Sequence, residues 1–114
     1  MNGKKAEILS GLYLKLKGYK ILDRNYHSRF GEIDIVAKKS DVIVFVEVKA
    51  RGKNALYQPS YAVDLYKQKK IIKTAYFYIS QNGFLDVDIR FDVIELTLKG
   101  MLLKINHITN AFGE

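Results

Sequence analysis

Apolar residues recur at helical spacing near the start of the chain. Leu9, Leu12, Tyr13 and Leu16 fall on one stripe, and Gly18 is a natural stop, so residues 4 to about 17 are predicted to form a helix. A short strand from Tyr19 to Leu22 should follow, and Asn25 to Phe30 reads as extended or turn-like. Residues 32 to 50 then alternate as a β-hairpin around a two-residue turn at Ser40-Asp41, although a longer loop would keep the same pairing. Lys39 pairs with Val42, Ala37 with Val44, Ile35 with Val46 and Ile33 with Val48, a face that is apolar except for Lys39. The other face pairs Lys38 with Ile43, Val36 with Phe45, Asp34 with Glu47 and Glu32 with Lys49. A slip of one residue would mix the two faces, which supports this register.

Residues 51 to 60, with the single proline Pro59, read as an exposed basic loop. Asp64 can cap a second helix that runs to about Gln81, with Leu65, Ile72, Ala75, Tyr76 and Ile79 on its buried side and Asn82-Gly83 at its end. Val87, Ile89, Phe91 and Val93 alternate with Asp88, Arg90 and Asp92 as a strand. Gly100 turns into a short strand near Met101 to Ile105, and His107 to Phe112 reads as one helical turn that packs Phe112. The expected fold is a single α/β domain over residues 1–114: a mixed β-sheet with a helix on each face, in the order helix, three strands, helix, two strands.

Composition adds a partner class to this fold. The 114 residues carry a formal charge of +7, which on a small domain favours polyanions through phosphate contacts and counterion release. Lys67, Lys69, Lys70 and Lys73 crowd the first half of the second helix. With Arg51 and Lys53 on the loop they are the candidate nucleic-acid surface; the alternative is a solvated helix face. Tyr57, Tyr61, Tyr66, Tyr76 and Tyr78 offer rings for unpaired bases, or serve as core. The chain has no cysteine, which excludes disulfides, thiolate zinc sites and cysteine nucleophiles. The start, Met1 to Lys5, does not read as a signal peptide, and no apolar run has membrane-spanning length, so a soluble cytoplasmic protein is expected. His27 and His107 stand too far apart in sequence to argue for a shared metal site.

The hairpin's polar side carries the chemistry. Cross-strand neighbours hold their Cβ atoms about 5 Å apart, and two carboxylates that close repel unless a positive charge lies between them. For Asp34 and Glu47, a divalent cation with a preference for oxygen answers that need. Lys49 lies two residues beyond Glu47 and points to the same face. Such a set suits metal-assisted phosphodiester hydrolysis. The plainer alternative is the wet face of a hairpin, with Glu32 paired to Lys49. Against it, Glu47 and Lys49 interrupt a strand whose neighbours on that face, Ile43 and Phe45, suggest that the face is covered. Glu7 lies off the first helix's apolar stripe, with Gly11 one turn later leaving space beside it; alone it reads as a solvated helix residue.

These residues, taken together, resemble a family. Gly31-Glu32-Ile33-Asp34, the run Val44 to Arg51, Ala62-Val63-Asp64 with Lys67, Arg90-Phe91-Asp92-Val93 and His107 to Phe112 resemble, in order and over nearly the whole chain, the YraN family of largely uncharacterised bacterial proteins. That family looks like a branch of the restriction-endonuclease-like superfamily with the PD-(D/E)xK signature, and is similar to archaeal Holliday-junction resolvases. The resemblance implies Asp34 as the metal-binding motif aspartate, Glu47 and Lys49 as its E-x-K, Glu7 as an added helix acid, and the Val48 carbonyl as a further ligand of Mg2+ or Mn2+. The sequence departs from the pattern at Ile33, where the motif has proline, at His27, where the family often has arginine, and at Ala50, where threonine is common. Three readings stay open: an endonuclease on branched or structured DNA, which as a junction cutter would need two sites and hence a homodimer; a non-catalytic nucleic-acid-binding module of the same fold; and an assembly protein with a basic face.

Overall fold

A computed structural model describes residues 1–51 and 63–113. The basic loop predicted at 51–60, with Lys53, Tyr57 and Pro59, lies outside the described residues beyond Arg51, as do Tyr61 and Ala62. Helix α1 spans Gly3–Leu16, and the Asn2 side chain caps it by accepting from the Lys5 N–H at 2.8 Å. Strands β1 (Lys20–Ser28), β2 (Gly31–Lys39) and β3 (Val42–Arg51) follow, then helix α2 (Leu65–Gln81), β4 (Asp88–Lys99) and β5 (Leu102–Phe112). Asp64 caps α2 as predicted, through the Lys67 N–H at 2.8 Å.

The described strands form one sheet in the order β1-β2-β3-β4-β5. β3 and β4 are parallel and joined through α2; the other neighbours are antiparallel, so the sheet is mixed. The hairpin register matches expectation from Lys39–Val42 to Ile35–Val46, with Ser40 at φ 53° in the turn. The ladder stops there. The Val48 N–H donates instead to Asp34 Oδ2 at 2.8 Å, so a side chain takes over where backbone pairing ends.

Three expectations about where strands begin and end change. The two pieces predicted between Tyr19 and Phe30 are one strand, β1, with a bulge between Ile21 and Asp23. Its turn back into β2 needs Gly31: φ is +151°, and a Cβ would stand 3.2 Å from Thr74 Oγ1 on α2. The strand predicted to end at Val93 runs on to Lys99, because β4 is covered on both sides: Phe91 to Leu96 are all buried, so no alternation marks its continuation. The tail is not a helical turn. His107 to Phe112 belong to β5 and supply backbone partners that an edge at β4 would otherwise lack, and the Phe112 ring stacks on Phe91 at 5.2 Å.

Each face carries a helix, as expected. α1 covers Ile35, Ala37, Val44, Val46, Ile94 and Leu96 with Ala6 and Leu14. α2 covers Val36, Ile43, Phe45, Phe91 and Val93 with Ile71, Ala75 and Tyr78. Both helices are rotated from their predicted phase. On α1 the buried residues are Ala6, Ser10, Gly11 and Leu14, while Leu12 and Leu16 are exposed. Small residues let that helix sit close on the sheet, which outweighs the larger side chains' periodicity. On α2, Leu65 and Tyr76 are exposed and Ile71 and Thr74 take the inner positions.

One exchange prepares the site. Ile33, expected on the face of Ile35, joins the α2-side cluster with Val36. The alternation of β2 therefore breaks beside Asp34. Opposite it on β1, between the pairs Arg24–Ile35 and Tyr26–Ile33, stands Asn25 at φ 50°.

Candidate functional site

Asp34 and Glu47 meet where the β2–β3 ladder ends. Their carboxyl groups lie close enough for each to feel the other's charge. Burial pushes the Asp34 pKa up to about 8, helped by the neighbouring Glu47 carboxyl, against the opposing Val48 N–H. Glu7 on α1 adds to the same field. Its own pKa is raised by burial, then by Glu32 and Glu47, and lowered by Arg24. Glu7 Oε1 and Ser10 Oγ are buried among the described residues without a hydrogen-bond partner. Glu7, Asp34, Arg24 and Asn25 line a small cavity of about 160 Å3 on the α1 side.

Glu47 is buried, and on the α2 side its Oε2 is held by the Lys67 ammonium. Burial disfavours the charged lysine, but the hydrogen bond and charge of Glu47 prevail and raise its pKa. Lys49, two residues along β3, keeps the face of Glu47 by alternation and lies in register with Glu95. Arg51 pairs with Glu95 at 3.2 Å. Glu32 lies 3.6 Å from His27 at the exposed β1–β2 end.

The donor set is all oxygen: two carboxylates in contact, a third nearby, and the Val48 carbonyl on the strand edge that faces Asp34. An orphaned buried oxygen on Glu7 and the closeness of the Asp34 and Glu47 carboxyls both fit a hard cation. Among the described residues, no group of three or more His, Cys, Asp or Glu stands close enough to hold an ion by side chains alone. Water or substrate oxygens would complete the shell, as Mg2+ prefers.

Sequence reasoning missed two contributors. Arg24 reaches over α1 into the gap that Gly11 leaves; a Cβ there would stand 2.5 Å from its Nη1. Lys67, placed with the helix lysines, instead belongs to the carboxylate site. Lys69, Lys70 and Lys73 remain exposed on α2.

A separate polar network sits under α1. Asp92 is fully buried and accepts from Arg90 Nε at 2.8 Å, Arg90 Nη2 at 2.9 Å and the Asn110 N–H at 2.9 Å. His107 Nε2 lies 2.7 Å from it, and His107 Nδ1 lies 3.0 Å from the Tyr13 hydroxyl of α1. Burial alone would raise the Asp92 pKa; hydrogen bonds from His107, Arg90 and Asn110 outweigh it and hold the carboxyl below its usual value.

A family model described as uncharacterised protein family UPF0102 matches residues 6–96. A UPF0102 protein of Caldanaerobacter subterraneus subsp. tengcongensis is 47% identical over 113 residues, covering 96% of this chain and 93% of its own. One from Geobacter metallireducens is 46% identical over 110 residues, covering 96% and 90%. Another, from Alkaliphilus oremlandii, is 50% identical over 109 residues, covering 94% and 93%.

Proposed function

Because the chain belongs to the uncharacterised protein family UPF0102, the YraN family, whose name states no activity, we propose a function from its carboxylate–lysine site: metal-dependent endonucleolytic hydrolysis of phosphodiester bonds in branched or structured DNA. The observation that carries this reading is the contact between Asp34 and Glu47 beside a buried, unpartnered Glu7 oxygen. The order helix, three strands, helix, strand, with β3 and β4 parallel, supports a restriction-endonuclease-like fold.

Asp34, Glu47 and the Val48 carbonyl would hold Mg2+ or Mn2+, with Glu7 binding directly or through water. When bound, such an ion polarises the phosphoryl oxygen and acidifies an attacking water. Lys49 stabilises charge that builds at the phosphate and orients the water. Lys67 keeps Glu47 in place from α2. Lys69, Lys70 and Lys73, with Arg51 at the end of β3, would meet the DNA backbone. A junction-cleaving role would pair two such sites in a homodimer.

The Lys67–Glu47 ion pair favours one second reading: it satisfies Glu47 without a metal, as a non-catalytic nucleic-acid-binding module would. Incubation with a panel of branched, flapped and single-stranded DNAs, with and without Mn2+, separates the two. Mn2+-dependent cleavage is expected. Tight binding to branched DNA with no cleavage in Mg2+ or Mn2+ would transfer the conclusion to the binding module.

A further inference from the structure

Two hollows join along α2. The first, about 540 Å3, is bordered by His27, Glu32, Asp64 and Lys67, so it opens beside the ammonium that holds Glu47. The second, about 1010 Å3, is walled by the rings of Phe30, Tyr66, Tyr76 and Phe77. Tyr66 and Lys70 border both, so the two adjoin as one groove, and its first part reaches Lys67, the partner of Glu47.

Its chemistry is mixed in a specific way. The walls are aromatic, and cations are set on them: Lys70 Nζ stands 4.7 Å from the Tyr66 ring centre and the Arg29 guanidinium 4.9 Å from that of Phe30. Lys69 and Lys73 also line the second hollow. Tyr66 is 71% exposed, so its ring is accessible from the groove. A duplex meets such a surface only with phosphates and groove edges, because its base faces are hidden in the stack. An unpaired strand offers base faces to the rings and phosphates to the ammonium groups at once. From Tyr66 to Tyr76, α2 advances about 15 Å, room for a few nucleotides.

We infer that this groove is the path of an unpaired nucleic-acid strand, so that the substrate carries a short single-stranded segment next to the scissile phosphate. The inference rests on the nuclease reading for the word substrate, but the groove itself can be tested without catalysis. Fluorescence anisotropy in EDTA would compare a labelled short oligothymidylate with a blunt duplex of equal length, on the full chain. The wild type should bind the single strand about tenfold tighter. Tyr66→Ala should weaken single-strand binding roughly five- to 150-fold, the range set by one stacked base, with little effect on the duplex. Tyr66→Phe, which keeps the ring, should bind like the wild type. Equal or tighter binding of the duplex, or an unchanged single-strand affinity in Tyr66→Ala with an unchanged melting curve, overturns the groove, as does binding only to an acidic protein partner. A protein that passes this test and cleaves nothing overturns the nuclease reading alone, and one that binds neither DNA here but cleaves the branched panel with Mn2+ overturns the groove alone.

Discussion

A carboxyl held against a second carboxylate and away from water keeps its proton longer than it would in the unfolded chain. Asp34 is in that position, with its pKa pushed up to about 8 by burial and Glu47, against about 4 for the unfolded chain. The protonated form is favoured in the fold. The stabilisation it brings is therefore complete below about pH 4 and is lost as pH rises toward 8. Melting curves of metal-free protein should show stability falling across that window in the wild type and much less in Asp34→Asn. Mn2+ at pH 8 should raise the wild-type melting temperature and leave that of Asp34→Asn nearly unchanged; parallel wild-type and variant curves would remove the carboxylate pair. The same charge logic separates catalysis from affinity. Asp34→Asn and Glu47→Gln each remove a negative charge that holds the cation and repels phosphate. Cleavage should vanish while DNA binding, read by gel shift, stays or tightens. Lys49→Ala should also stop cleavage without abolishing Mn2+ binding. Cleavage that survives Asp34→Asn is contamination.

At the scale of elements, the carboxylate site depends on how α1 is fastened, because α1 brings in Glu7. The fastening is polar: Tyr13 on α1, Arg90 and Asp92 on β4, and His107 on β5 form one hydrogen-bonded set around a carboxylate with no exposure. Removing one partner of a buried ion pair costs about 3–5 kcal/mol, since the other charge stays behind. Asp92→Ala should lose stability of that order in urea unfolding; a loss under about 1 kcal/mol would mean that the network is dispensable. The depressed pKa of Asp92 gives the opposite pH sign to Asp34. Its contribution is present above the unfolded value and is lost as pH falls through the lower folded one, so the network should yield in acid. The same set explains why the tail was misjudged from the sequence. His107 and Asn110 face a buried aspartate that is distant along the chain, and nothing local to residues 107–112 reports that partner.

The whole molecule carries +7, and the exposed lysines of α2 lie beside the groove rather than scattered over the surface. Binding to any nucleic acid should therefore weaken steeply as salt rises, with log K falling linearly in log salt. Replacing Lys69 and Lys70 by Gln together should lower affinity for all sequences alike and flatten the salt slope by about two. A titration at several salt concentrations reads both effects, and a flat wild-type response would leave the basic surface without a phosphate partner. No helix of the described residues is long and apolar enough to cross a membrane.

The hairpin was readable from the chain alone, because one face of β2–β3 is apolar at every second position and a slip would bury charge. That register holds up to Ile35–Val46, one step short of Asp34 and Glu47. The caps Asn2 and Asp64 act over three residues, and Asp64 was legible for that reason. The remainder was decided by packing between distant segments. α1 turns its small residues inward because the sheet lies close beneath it, which periodicity of large side chains cannot report. β4 lost its alternation because both of its faces are covered. Arg24 entered the site through the space at Gly11, and Lys67 came to Glu47 from α2. The ladder ends at Ile35–Val46, and on β1 Asn25 takes a left-handed conformation opposite Asp34, neither of which the chain pattern of β2 and β3 reports. Local pattern fixes what a residue's neighbours along the chain demand; charge partners, helix rotation and strand separation depend on surfaces that meet only after folding.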